Sequence, residues 1–415
     1  MAAIVTSMNP LYIAVVAMLV QQAFAYMSGL IMPVAAPAVA ADLGINPALV
    51  GVFTGCVFFA GMFAQVSCGA FIVRIGALRM SQISLCMMAA GLLAITSGLL
   101  PVIVIAAMVI GTGSAPSTPA SSQILARYSP PHLAPLMFSI KQTGVPVGAM
   151  LAGLIVPISV AYFGWRGAFV IGALMCLTLA VVLQPMRAEF DQDRNPNQRW
   201  SPATVIDTLR TVLRRRDLRV MAIAAFAFVG LQAVFASFFV IYMTGGLHYD
   251  LETAGFAFAI AQAVAIPARI FWGWMGSRFV SPRTMLGCLG LGMAAASVGM
   301  GLSGPTWPIA AIVLMACAYS ATAVSWHGVL LAEVAKISPD GRVSAMTGGV
   351  LSFGSAGMMS FPLVFSAILG VTDVYAFGFL LAAVPAVVAS VLLFRRDPPH
   401  LPSEAGNPLT DPGAR

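Results

Sequence analysis

Three ionisable side chains stand in stretches that otherwise have no use for charge: Arg269 in AIPARIFWGWMG, Lys141 in MFSIKQTGVP and His327 in SWHGVLL. A guanidinium is a rigid forked donor that matches a carboxylate through two parallel hydrogen bonds. An ammonium is a compact point charge, and an imidazole exchanges a proton near neutral pH. The fourteen Asp and Glu all fall in connections, in the C-terminal tail or at the ends of apolar runs, so none stands at the depth of Arg269 to neutralise it. A cation kept away from water without a carboxylate needs an anion from elsewhere, and a bound solute can be that anion.

Depth separates the three. If the run around Arg269 spans 252 to 277, its middle is near Ala265 and Arg269 lies roughly 6 Å from it. Against a hydrocarbon half-thickness of roughly 15 Å, that leaves about 9 Å to the interface, beyond ordinary snorkelling. In lipid the charge would cost at least about 2.5 to 3.5 kcal/mol, so it is expected to face a polar cavity, in contact with solute or in a structural pairing. Lys141, roughly 12 Å from the middle of its run, can snorkel or reach the cavity. His327 is open to two roles, a hydrogen-bonded packing residue or a titrating cavity residue. Glu333 is expected to pair with Lys336 or Arg342, and Arg166 to anchor an interface beside Trp165.

The elements that must hold these groups are membrane spans. The 415 residues are 60% hydrophobic and only 8% charged, with a mean hydropathy of +0.93, more apolar surface than a soluble domain could cover. Twelve apolar runs are readable: 10–39, 48–72, 80–99, 101–126, 135–162, 165–185, 218–243, 252–277, 284–303, 307–335, 343–368 and 373–394. The first run lacks a basic flank and a cleavage site, so it is expected to be retained. The six cysteines lie inside these runs without metal or disulfide spacing and are expected to pack helices; no metal and no cofactor are expected.

Eighteen of the 21 Lys and Arg fall in even-numbered connections or the tail. By the positive-inside rule both termini are expected in the cytoplasm, and the net charge of +7 then needs no nucleic-acid partner. The long polar stretch between spans six and seven, from Ser201 as N-cap and Pro202, places Val205, Leu209 and Leu213 on one side and arginines on the other. This pattern predicts an amphipathic helix lying on the membrane surface. The expected organisation is a bundle at 1–185, a linker at 186–217, a second bundle at 218–394 and a tail at 395–415.

The halves repeat. Gly69, Arg74 and Arg79 recur as Gly273, Arg278 and Arg283 at an offset of 204, and Thr143-Gly144 recurs at the same offset as Thr347-Gly348. ARYSP, ending at Pro130, recurs as AKISP, ending at Pro339. Two related six-helix bundles can rock about a site between them. With these motifs the chain resembles the major facilitator superfamily over residues 10 to 394. GAFIVRIGALR is similar to its loop signature G-x-x-x-D-R-x-G-R-R, keeping Gly69, Arg74 and Gly76 but placing Val73 where the signature has an acid. GWMGSRFVSPR is the second copy, with Ser277 at the acid position. TGVPVG partly resembles the Gly-Pro signature of span five.

The resemblance implies an all-α membrane protein of twelve helices in two pseudo-symmetric bundles. Spans one, four, seven and ten would line the cavity, and spans five and eight would face each other across it. It thereby adds Gln22, Tyr26, Gln232 and Trp326 to Arg269, Lys141 and His327 as candidate binding residues. It also likens Arg269 to the anion-contacting arginine of monocarboxylate, oxalate/formate and nitrate transporters. The expected function is secondary transport of a small organic anion, a carboxylate, across a bacterial inner membrane, coupled to protons or to exchange, by a monomer embedded in lipid. Export of a hydrophobic drug or metabolite is the alternative. Without a Walker A, HExxH or GxSxG motif, an ATP-driven pump, enzyme or sensor is not expected.

Overall fold

The computed structural model describes residues 10–129, 137, 140–197, 202–338 and 343–395. Arg342, Arg396, Arg415 and Ser201 lie outside the described residues, as does the side chain of Arg278. Among the described residues every regular element is helical.

The first span is α1 (Pro10–Leu43), followed by α2 (Val50–Ile75) and α3 (Ala77–Ile95). The fourth is interrupted, as α4 (Leu100–Ser114) and α5 (Ser117–Tyr128). Spans five and six form one run, α6 (Gly144–Val182), which turns at Gly164, where φ of 69° suits a residue without a side chain. A short helix α7 (Pro202–Arg214) leads to α8 (Arg216–Ile241), α9 (Leu251–Arg278) and α10 (Pro282–Leu302), which are spans seven to nine. Span ten is again interrupted, as α11 (Ile309–Ala323) and α12 (His327–Ile337); α13 (Val343–Thr372) and α14 (Tyr375–Phe394) complete the chain. Among the described residues eleven stretches are long and apolar enough to cross a membrane. One of them, Ile140–Phe190, has 51 residues and is the pair turned at Gly164, which accounts for the twelve expected spans.

The two bundles meet closely at one end. The Ser366 hydroxyl at the far end of α13 donates to the Ala48 carbonyl before α2, and Thr54 and Ser237 share a hydrogen bond of 3.1 Å between α2 and α8. Gly153 of α6 backs onto the Gly255 carbonyl of α9. At the other end, the end of the loop motif, Gly69 and Gly273 face open space.

That loop end holds the clearest departure from sequence expectation. The acid that the motif lacks at Val73 is supplied by the linker. Asp191 accepts from the Leu78 and Arg79 amides at 2.7 and 3.1 Å, capping the start of α3, while the Asn195 amide donates to the Val73 carbonyl. Burial pushes the Asp191 carboxyl above its usual range, against the pull of these amides. Asp193 and Gln192 hold Arg127 and Gln123 at the end of α5, so the linker staples the loop face of the first bundle. In the second copy, Arg283 instead donates to the Leu393 and Arg395 carbonyls at the end of α14. Arg74 stays exposed.

Three other expected features take a definite form. Trp165 is buried, donating to Asp42 while Arg166 stacks over its ring at 4.1 Å and pairs with the same carboxylate at 2.8 Å, so the two neighbours tie helix ends together. Glu333 is buried and makes no ion pair with Lys336 among the described residues, and Arg342, its other expected partner, lies outside them. Helix α7 packs Thr208 and Val212 against Gly349 of α13, leaving Leu213 exposed.

Gly76 connects α2 to α3 at φ 109°, and a β-carbon there would collide with the Asp191 carboxylate. Gly76→Ala is therefore expected to destabilise the protein by about 1 to 3 kcal/mol, read as a lower unfolding temperature in detergent. An unchanged temperature would show that the linker does not dock there.

Candidate functional site

The local sequence creates unpaired carbonyls at the level of Arg269. In a continuous helix the Gln142 carbonyl would accept from the amide four residues on, but that residue is Pro146, which has no N–H. The Val324 carbonyl, at the C-terminal end of α11, loses its partner where span ten breaks before His327. Arg269, from α9, bridges the two: Nη1 donates to Gln142 O at 2.7 Å and Nη2 to Val324 O at 2.6 Å. One acceptor belongs to the first bundle and the other to the second.

These short, charge-assisted bonds are worth about 1.5 to 3 kcal/mol each. They satisfy hydrogen bonding but supply no negative charge. Among the described residues no carboxylate pairs with Arg269, and its Nε–H is buried without a partner. Burying an unpaired charge costs several kcal/mol even after relaxation, so the site retains an uncompensated positive field and one free arm of the donor fork.

Around it lie most of the residues expected from sequence. Tyr26 of α1 accepts at its hydroxyl from Gln232 Nε2 of α8 at 3.1 Å, joining the bundles, and Gln232 Oε1 has no partner. The His327 ring stacks on Trp326, centroids 3.9 Å apart, with Nδ1 buried and unpartnered. Trp326 itself is fully buried, donates to Ala323 O at 3.0 Å and lies edge-on to Phe228. Trp326 thus forms part of the packing that holds His327.

Lys141 is brought to a second cluster inside the first bundle. Its side chain is 0% exposed, and among the described residues its Nζ reaches only the Thr118 carbonyl, at 3.4 Å. The Thr118 hydroxyl donates to Gln22 Oε1 at 3.1 Å. Thr118 follows the break in span four at Pro116, so this cluster too is built on an interrupted helix. Lys141 does not snorkel, because Gly144 and Gly148 let the start of span five sit directly on α1; a β-carbon at Gly148 would meet the Ala23 carbonyl. Gln21, Ser117 and the side chain of Gln142 add further buried polar atoms without partners. Buried polar groups in that number mark a place for water or solute.

Sequence reasoning missed the two carbonyls. The only available signal was Pro146, four residues beyond Gln142. A separate cleft of about 870 Å³ opens between α6, α9 and α11 at the opposite end, with Asp250 and Glu252 on its rim. Those carboxylates repel an anion, so it does not compete with Arg269 for this role.

The family model described as Major Facilitator Superfamily matches residues 17–334. No curated protein sequence matches the chain. Among solved structures, a bacterial homolog of the human lysosomal transporter Spinster, inward-facing and unoccupied, is 15% identical with a TM-score of 0.74, covering 94% of this chain and 97% of its own. A D-xylose-proton symporter is 15% identical with a TM-score of 0.74, over 94% and 98%. A POT family transporter in complex with a thioalcohol-conjugated peptide is 14% identical with a TM-score of 0.71, over 92% and 94%. At such identities the likeness is one of fold.

An ammonium buried on one long hydrogen bond is a stability cost that packing alone would not retain. Lys141→Met, which keeps the volume, is expected to raise stability by about 1 kcal/mol or more in a thermal unfolding scan. A fall of similar size would make Lys141 a structural residue.

Proposed function

The chain belongs to the Major Facilitator Superfamily, and from that premise we propose that it is a secondary transporter of a small organic anion, a carboxylate, working by alternating access between its two bundles. The observation that carries the proposal is Arg269: half-buried, unpaired with any carboxylate among the described residues, and retaining a buried, free Nε–H. A carboxylate entering the site would take the guanidinium fork and neutralise the charge in one step. Tyr26 and Gln232 are placed to orient it, and His327 to border it. Lys141, with Gln22 and Thr118, offers a second positive field in the first bundle.

The clustering of Lys and Arg on one set of connections supports cytoplasmic termini, in what we take to be a bacterial inner membrane. The loop-motif end, where Gly69 and Gly273 face open space, is then the cytoplasmic one, and the opposite, closed end faces outward. Two couplings suit a cation that must be neutralised: a proton accompanying the anion, or a second anion returning.

Purified protein in proteoliposomes is expected to take up labelled carboxylates from a panel including pyruvate, oxalate and succinate. Arg269→Gln is expected to reduce uptake at least about 100-fold, while Arg269→Lys, which keeps charge but loses the fork, retains a fraction. Undiminished anion uptake by the glutamine variant, or transport of lipophilic cations alone, would reject the proposal.

A further inference from the structure

The Arg269 bridge has a consequence for the mode of transport, and it rests on the anion reading above. We infer that this carrier is built for exchange: it crosses the membrane readily with an anion bound and slowly when empty.

Two acceptors hold the guanidinium. Val324 O rides on the same bundle as Arg269, whereas Gln142 O belongs to the other. Rocking one bundle against the other moves span five past span eight, and a 2.7 Å bond between them cannot be kept through that motion. The empty carrier therefore begins its transit by stripping a half-buried guanidinium of its cross-bundle acceptor. No carboxylate stands ready to replace it among the described residues, and Nε is already unpartnered.

The loaded carrier faces no such loss. An anion on the fork supplies both the missing acceptor and the missing charge, and it travels with the guanidinium. The ligand thus lowers the barrier between the two states, the differential interaction any ligand-driven transition requires. The bridge depends on Pro146, because only a residue without N–H leaves the Gln142 carbonyl free. Pro146→Ala would return that carbonyl to its own helix and loosen the latch on the empty state.

The test loads proteoliposomes with ¹⁴C-labelled pyruvate, oxalate or succinate in turn and follows efflux with and without the same unlabelled anion outside. The expected result is about tenfold faster efflux with the anion outside, a factor that shrinks in Pro146→Ala because efflux into anion-free buffer speeds up. Equal efflux in both arms of the wild-type protein would overturn the exchange proposal while leaving anion transport intact. If none of the three anions moves in either arm, the anion reading fails and exchange fails with it. The wild-type comparison decides the matter even if the proline variant does not fold.

Discussion

Inside a hydrocarbon layer a backbone carbonyl without a donor costs several kcal/mol, so a helix can be interrupted only where something else takes over the lost bond. Spans five and ten each release a carbonyl at the same level, one through Pro146 and one through the break before His327. Arg269 needs acceptors as much as the carbonyls need donors. The three groups satisfy one another's hydrogen bonding and leave the charge untouched. Much else in the site follows from that imbalance: the stacked His327 beside the break, the Tyr26 to Gln232 link across the bundles, and the buried polar atoms left open around them.

Small residues make the arrangement possible. Gly144 and Gly148 bring span five onto α1 closely enough to hide Lys141 and to set the Gln142 carbonyl against the neighbouring bundle. At the loop end, the linker performs a task that the motif's own acid would otherwise do. Asp191 caps α3 through the gap left by Gly76, so the first bundle and the linker are one unit. The family provides the scaffold; the likeness to a Spinster homolog and a sugar symporter extends over nearly the whole chain, yet says nothing about cargo.

The spans, their number and the internal repeat were legible because lipid imposes length and hydropathy directly on sequence, and turns such as Gly164 interrupt it visibly. Arg269 was legible as a charge without a partner, since the absence of acids can be counted. The carbonyls that receive it were not, because backbone acceptors carry no residue label; only Pro146 hinted at one of them. Lys141 was ambiguous for a related reason. Its distance from the interface allowed snorkelling, and what prevents it is the close seat of span five on α1. Asp191 was missed because its partners are backbone amides far away in sequence, and the bond from Trp165 to Asp42 because the two residues are distant in sequence.

The central claim is that the Arg269 site exists to hold negative charge. It is tested most directly by thermal stabilisation of the purified protein with a carboxylate and with its uncharged amide, for example succinate against succinamide. The account predicts a concentration-dependent rise in unfolding temperature with the carboxylate only, lost in Arg269→Gln. Equal stabilisation by both compounds, or stabilisation by succinate that survives in the variant, would contradict it.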